Sequence, residues 1–143
     1  SYKLKNFAFP FYSQKTHNLT IASGGFVYMG ETSHAWLAAT QYIAPLMANF
    51  EILEHSDILF VETEQYAAVE WRQVFLRDQK SAGNFTFLVK LQRDGDIYFL
   101  YKNIPIEIQA IADQSHPVKI GVSDAFIREH KLIKGMAGYF DSL

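Results

Sequence analysis

The sequence predicts an all-β fold, an antiparallel β-sandwich with a few short helical turns. Three observations predict it. Aromatic residues make up 15% of the chain, with twelve Phe and eight Tyr, and such side chains suit the half-buried surface of a pleated sheet. Short apolar runs are punctuated by Gly and by Asn/Asp clusters, the pattern of many strands rather than long helices. Two of those runs alternate cleanly with period two. With 143 residues the chain is read as one domain, residues 1–143, large enough to bury a core.

The predicted strands are Asn6–Tyr12, Leu19–Ala22, Phe26–Met29, Asp57–Glu62, Tyr66–Leu76, Phe85–Gln92, Asp96–Tyr101 and Val118–Ser123. In Phe85–Gln92 the apolar residues Phe85, Phe87, Val89 and Leu91 share a face. Thr86, Lys90 and Gln92 take the other, with Leu88 as the exception. In Tyr66–Leu76 the expected inner set is Val69, Trp71 and Phe75, opposite Glu70 and Arg72. The best helical candidate is Ser33–Tyr42, with Ser33 as N-cap and Pro45 as terminator, and a loop with one or two helical turns is the alternative. The segment 125–143 has no definite assignment.

Two turns follow from glycine. Ser23-Gly24-Gly25 reads as a tight turn between strands, where Gly supplies a positive φ. Asp94-Gly95 allows two registers for the hairpin it closes. A two-residue loop would put Leu91 opposite Tyr98 and leave Ile97, Phe99 and Tyr101 on the polar face. A three-residue loop, Arg93-Asp94-Gly95, puts Leu91 opposite Ile97, Val89 opposite Phe99 and Phe87 opposite Tyr101. Burial of each large residue contributes roughly 1.5–3 kcal/mol, so the second register is expected. It is also a type I turn with a G1 bulge, which wants Gly95 at positive φ.

Composition limits function. Net charge is -2 and pI about 6.2, with no basic run, so no electrostatic footprint for nucleic acid or anionic membrane is present. No apolar stretch approaches the length of a membrane span. The chain opens on Ser1 and is read as a segment of a larger protein. It has no cysteine, so an extracellular setting would require a core that holds without disulfides.

Chemistry-bearing motifs are few. No pair among His17, His34, His55, His116 and His130 has metal-ligand spacing, and no metal or other cofactor is expected. Arg93-Asp94-Gly95-Asp96 lacks the further acidic positions of a calcium loop. Glu62, Glu64 and Glu70 could meet as a glycosidase-like pair only through the tertiary fold. Ser23-Gly24-Gly25 is not a nucleophile elbow. No catalytic residue is assigned, and the chain is read as non-enzymatic. Asn18-Leu19-Thr20 and Asn84-Phe85-Thr86 fit the N-glycosylation triplet, and Asn84 and Thr86 lie on the polar face of their strand. Both Asn18 and Asn84 are therefore expected to be exposed and are candidate glycan sites. Trp71 is expected in the core, and Trp36 is the candidate exposed binding residue.

Several segments carry a resemblance. Phe7-Ala8-Phe9-Pro10-Phe11-Tyr12, Ala22 to Glu31 (ASGGFVYMGE), Ala39 to Phe50 (ATQYIAPLMANF), Gly83 to Phe87 (GNFTF) and His116 to Phe126 (HPVKIGVSDAF) resemble, in order, the plexin domain-containing protein family, the tumour endothelial marker group. The resemblance runs from about Phe7 to about His130, and the Ile43–Phe50 and His116–Phe126 blocks are its most specific parts. The layout is also similar to nidogen-like domains, which share the F-P-F-Y start and the I-A-P segment. The resemblance implies an ectodomain on the extracellular side of the plasma membrane, from a single-pass type I cell-surface protein. In the family a cysteine-rich module and a membrane span follow, and this sequence contains neither. Family members act as receptors or adhesion proteins for secreted and matrix proteins. An extracellular or matrix protein ligand is therefore the expected partner, with no nucleic acid and no direct membrane contact. A carbohydrate-binding β-sandwich and a purely structural spacer are the alternatives.

Overall fold

The computed structural model describes residues 1–12, 14–29 and 41–124. Among them are twelve strands, all paired antiparallel, and two single turns of 3-10 helix at Lys80–Ala82 and Ile108–Ala110. The strands are β1 (Tyr2–Lys3), β2 (Phe9–Phe11), β3 (Gln14–Thr16), β4 (Asn18–Ala22), β5 (Phe26–Met29), β6 (Gln41–Met47), β7 (Phe50–Glu51), β8 (Asp57–Glu62), β9 (Tyr66–Leu76), β10 (Asn84–Gln92), β11 (Ile97–Asn103) and β12 (Lys119–Asp124). One sheet runs β1-β4-β5-β6-β12. The other runs β11-β10-β9-β7, with β8 also paired to β9, and β2-β3 forms a separate hairpin. The all-β class is as the sequence predicts.

The two sheets close on one core. Leu19, Val27, Ile43 and Leu46 come from the first sheet; Val69, Trp71, Val74, Phe85, Phe87, Val89 and Leu91 come from the second. Trp71 stacks on Phe87 with ring centroids 5.3 Å apart. Its indole N–H donates to the Ala22 carbonyl at 2.8 Å, so the largest core residue also ties the sheets together. The Tyr101 hydroxyl makes a second tie, donating to the Pro45 carbonyl at 2.5 Å.

Both glycine turns have the expected form. Ala22 pairs with Phe26 across Ser23-Gly24-Gly25, and Gly25 has φ of 86°. Leu91 pairs with Ile97, Val89 with Phe99 and Phe87 with Tyr101, and Gly95 has φ of 105°. Burial of the large apolar residues sets this register: Ile97 and Phe99 pack against the core.

The inner face of β9 departs from strict alternation. Val69 and Trp71 are buried, but so are Val74 and Leu76, while Phe75 is only half-buried. Gln73 takes a left-handed φ of 52°, and Arg72 and Gln73 together stand opposite Thr86, a β-bulge. The extra residue reverses the inside-outside order beyond it. The Gln73 backbone N–H donates to Thr86 Oγ1 at 3.0 Å, and its carbonyl accepts from Ser56 Oγ.

Three other expectations need correction. The first predicted strand, Asn6–Tyr12, shrinks to Phe9–Phe11, because the Lys5 and Asn6 N–H groups donate to Glu62 Oε2 instead of to a sheet. The short strands β1, β3 and β7 were not predicted. Nor was β6. Gln41 and Tyr42 of the helical candidate belong to that strand, and Ser33 and Trp36 lie outside the described residues. Pro45 sits inside β6, where a missing N–H ordinarily breaks a ladder. Here Pro45 and Leu46 face Ile120 in a bulge against β12, and pairing with β5 is confined to Ile43 and Tyr42. The proline therefore stands where the ladder is already interrupted.

Candidate functional site

Alternation fixes what the second sheet turns outward. Phe87, Val89 and Leu91 point in, so Leu88 and Lys90 of β10 point out. Register then assembles two rows across the four strands. Val61, Ala68, Lys90 and Tyr98 form one; Leu59, Glu70, Leu88 and Leu100 form the next. Strands lie about 4.8 Å apart, so each row is a continuous strip. Val61, Tyr98 and Leu100 are 50%, 51% and 52% exposed. Large apolar side chains on a flat, open surface are the usual mark of an interaction site.

Lys90 occupies the middle of this face. Its ammonium lies 4.6 Å from the centroid of the Tyr66 ring and 5.8 Å from that of Tyr98. Cation–π attraction holds the two rings beside the lysine. No carboxylate of a described residue pairs with it.

One border of the face is charged. Glu70 accepts from Lys102 Nζ at 2.8 Å and from Arg72 Nε at 2.9 Å. Burial alone would raise the Glu70 pKa. The hydrogen bonds from Lys102 and Arg72, with their charges, outweigh that and hold the carboxyl below its ordinary 4.5. The opposite effect acts on Tyr101, whose phenol is pushed up by burial.

The residues singled out in the sequence are dispersed. Asn84 begins β10 on the outer face but is half-buried, because Asn103 Nδ2 donates to its Oδ1 at 3.1 Å and to its carbonyl at 2.8 Å. Asn84 is thus less open than the sequence reading expects, though not buried. Asn18, also half-buried, opens β4 in the other sheet beside Lys3. Trp36 lies outside the described residues, as do His34 and His130. His17 and His55 are exposed, and His116 sits with Nδ1 2.9 Å from the Pro117 carbonyl. Glu62 caps the turn at Lys5 and Asn6, Glu64 is exposed, and Glu70 is held by its cations. Among the described residues, no three His, Asp or Glu side chains are placed to hold a metal, and no helix is long and apolar enough to cross a membrane.

Tyr66, Lys90 and Tyr98 were missed as a group. They come from three strands, and only cross-strand register unites them. The three-residue turn already implied the Lys90–Tyr98 pair, which was the available signal. No family model matches the chain, and no solved structure matches it.

Proposed function

We propose that this chain is an extracellular protein-binding domain of a single-pass cell-surface receptor or adhesion protein, and that it recognises a secreted or matrix protein without catalysis. The observation that carries the reading is the outer face of the second sheet. Exposed Val61, Tyr98 and Leu100 share this face with Lys90, and Glu70 in the next row is paired with Lys102 and Arg72 beyond it. Exposed apolar and aromatic side chains beside a ring-held cation, with paired charges at one side, suit a protein interface, where aromatic residues are enriched. The resemblance of Phe7–His130 to the plexin domain-containing family supplies the compartment and the class of ligand.

A carbohydrate-binding reading draws on exposed Tyr98 and half-buried Tyr66, since accessible rings stack on sugars. Lys90 already engages both rings, and the nearest carboxylate on the face, Glu70, is committed to two cations.

The test is binding of the secreted domain to panels of secreted and matrix proteins and to a glycan array. The comparison is with Val61→Asp and Tyr66→Ala. The expected result is a protein ligand whose affinity falls tenfold or more in both variants, about 1.4 kcal/mol or more, while thermal stability is unchanged. Binding to glycans alone, abolished by Tyr66→Ala, would favour the carbohydrate reading. A protein ligand indifferent to both variants would remove this face as the site.

A further inference from the structure

The second sheet ends in an unusually bare edge. β11 reads Ile-Tyr-Phe-Leu-Tyr over residues 97–101, with no charge and no proline. At the turn, the Gln92 N–H donates to the Asp96 carbonyl at 2.8 Å. Antiparallel ladders alternate bonded and non-bonded pairs. Lys90–Tyr98 and Leu88–Leu100 are therefore bonded pairs, and Leu91–Ile97, Val89–Phe99 and Phe87–Tyr101 are not. The N–H and C=O groups of Ile97, Phe99 and Tyr101 consequently point away from β10, to a side where no described strand follows.

Edges are ordinarily blunted by shortness, charge, proline or bulges. The other edges here are. β1 and β7 have two residues each, β8 begins at Asp57 and ends at Glu62, and β12 faces a bulge in β6, has a positive φ at Gly121 and is charged at both ends, Lys119 and Asp124. In β11 the register shift comes only at Lys102, after the apolar run.

A second observation lies beside the same edge. Pro10, Phe11, Tyr12, Gly95, Ile97 and Val122 line an open pocket of about 210 Å³. Ile97 forms its wall on β11. The pocket is mainly apolar and has room for one large apolar side chain.

We propose that β11 accepts an extended segment of a partner protein as an added strand, with one large apolar side chain of that segment in the pocket beside Ile97. Backbone groups repeating every second residue match only an extended chain, and in strand addition pockets for alternate side chains give specificity. A second copy of this chain fits less well. In a two-fold β11–β11 pair centred on Phe99, Ile97 meets Tyr101, whose hydroxyl is held by Pro45. Centred on Leu100, it meets Asn103, whose amide is held by Asn84. The proposal rests on the protein-binding reading and adds the conformation of the ligand and a second contact surface, continuous with the outer face through Tyr98 and Leu100.

The probe is a displayed library of short random peptides selected against the whole domain, with amide hydrogen exchange on the complexes. Selected peptides are expected to slow exchange at Phe99 and Tyr101 by roughly tenfold or more, while Tyr98 and Leu100, already bonded to β10, stay unchanged. Phe99→Pro, which removes an outward N–H, should weaken binding at least tenfold. Val122→Asp, on an exposed pocket wall, should do the same and serves if the proline variant does not fold. Glu54→Gln, exposed in the loop between β7 and β8 and on neither surface, should leave peptide affinity unchanged. Peptides that bind without protecting Phe99 and Tyr101 would overturn the proposal, and if Tyr66→Ala abolished their binding the outer-face reading would stand without it. Failure to select any peptide would overturn it, as would a concentration-dependent dimer protecting the same amides, which would make a second copy the occupant.

Discussion

Gly25 has no room for a methyl group. A Cβ there would stand 1.9 Å from the Leu46 carbonyl oxygen and 3.0 Å from the Phe87 ring, at a φ of 86°. Gly25→Ala must therefore push β5 away from β6 as well as strain the turn. A loss of about 3 kcal/mol or more is expected in urea unfolding. Gly95 is strained by conformation first and contact second: φ is 105°, and a Cβ would lie 3.1 Å from Pro10 Cγ. Gly95→Val should cost roughly 1–3 kcal/mol on the same measure. Trp71→Phe tests the tie between the sheets. It would keep a ring near Phe87 but leave the Ala22 carbonyl without its indole donor. Ala22 is half-buried and its carbonyl keeps the Gly25 N–H at 3.3 Å, so the lost hydrogen bond costs about 0.5–1.5 kcal/mol, in addition to the loss of packing volume.

At the scale of the strand, period two made β9 and β10 readable, and burial energy selected the register of β10 and β11 between two defined alternatives. What escaped were places where one residue breaks the period. Gln73 is the clearest, because nothing in Glu70-Trp71-Arg72-Gln73-Val74 announces a left-handed residue. The bulge is held by Thr86 and Ser56, which are distant in sequence. Phe75 was misassigned as a result. Pro45 concealed β6 for a related reason, since its strand geometry depends on a bulge against β12, over seventy residues later. The Tyr66–Lys90–Tyr98 group was half-legible: its register followed from the turn, but the β9 pairing did not. Glu70 yields a prediction at this scale. Its carboxyl is held below its ordinary 4.5 in the folded chain, so the folded state binds fewer protons than the unfolded state around that pH. The stabilisation is present above that value and is lost as pH falls through the lower folded one. Glu70→Gln should thus lower the urea midpoint at neutral pH, and the gap to the parent protein should close as the pH drops below 4.5.

At the scale of the molecule, the two glycan triplets fall on different sheets, and neither lies on the Lys90 strip. Asn84 shares a strand and a face with Lys90, yet six residues separate them, roughly 20 Å of extended chain. A sugar there would border the strip rather than cover it. Asn84→Gln is therefore expected to leave ligand affinity unchanged, and mass spectrometry of secreted protein should find the parent glycosylated at that site. Moving the sugar makes the converse test. Leu88→Asn with Lys90→Thr creates an Asn-Val-Thr triplet centred on Val89, in the middle of the face. Both replaced side chains point outward and are only half-buried, so the core set of Phe87, Val89 and Leu91 is untouched and the fold should persist. A glycan at that position would stand over Leu100, Tyr98 and Ala68 and exclude a protein surface by bulk. Loss of Lys90 by itself also weakens the site, so the comparison is between the glycosylated variant and the same variant after enzymatic removal of the sugar. Ligand binding should be absent in the first and measurable in the second, with thermal stability within a few degrees for both. Equal binding in the two forms would mean that the partner does not approach this face.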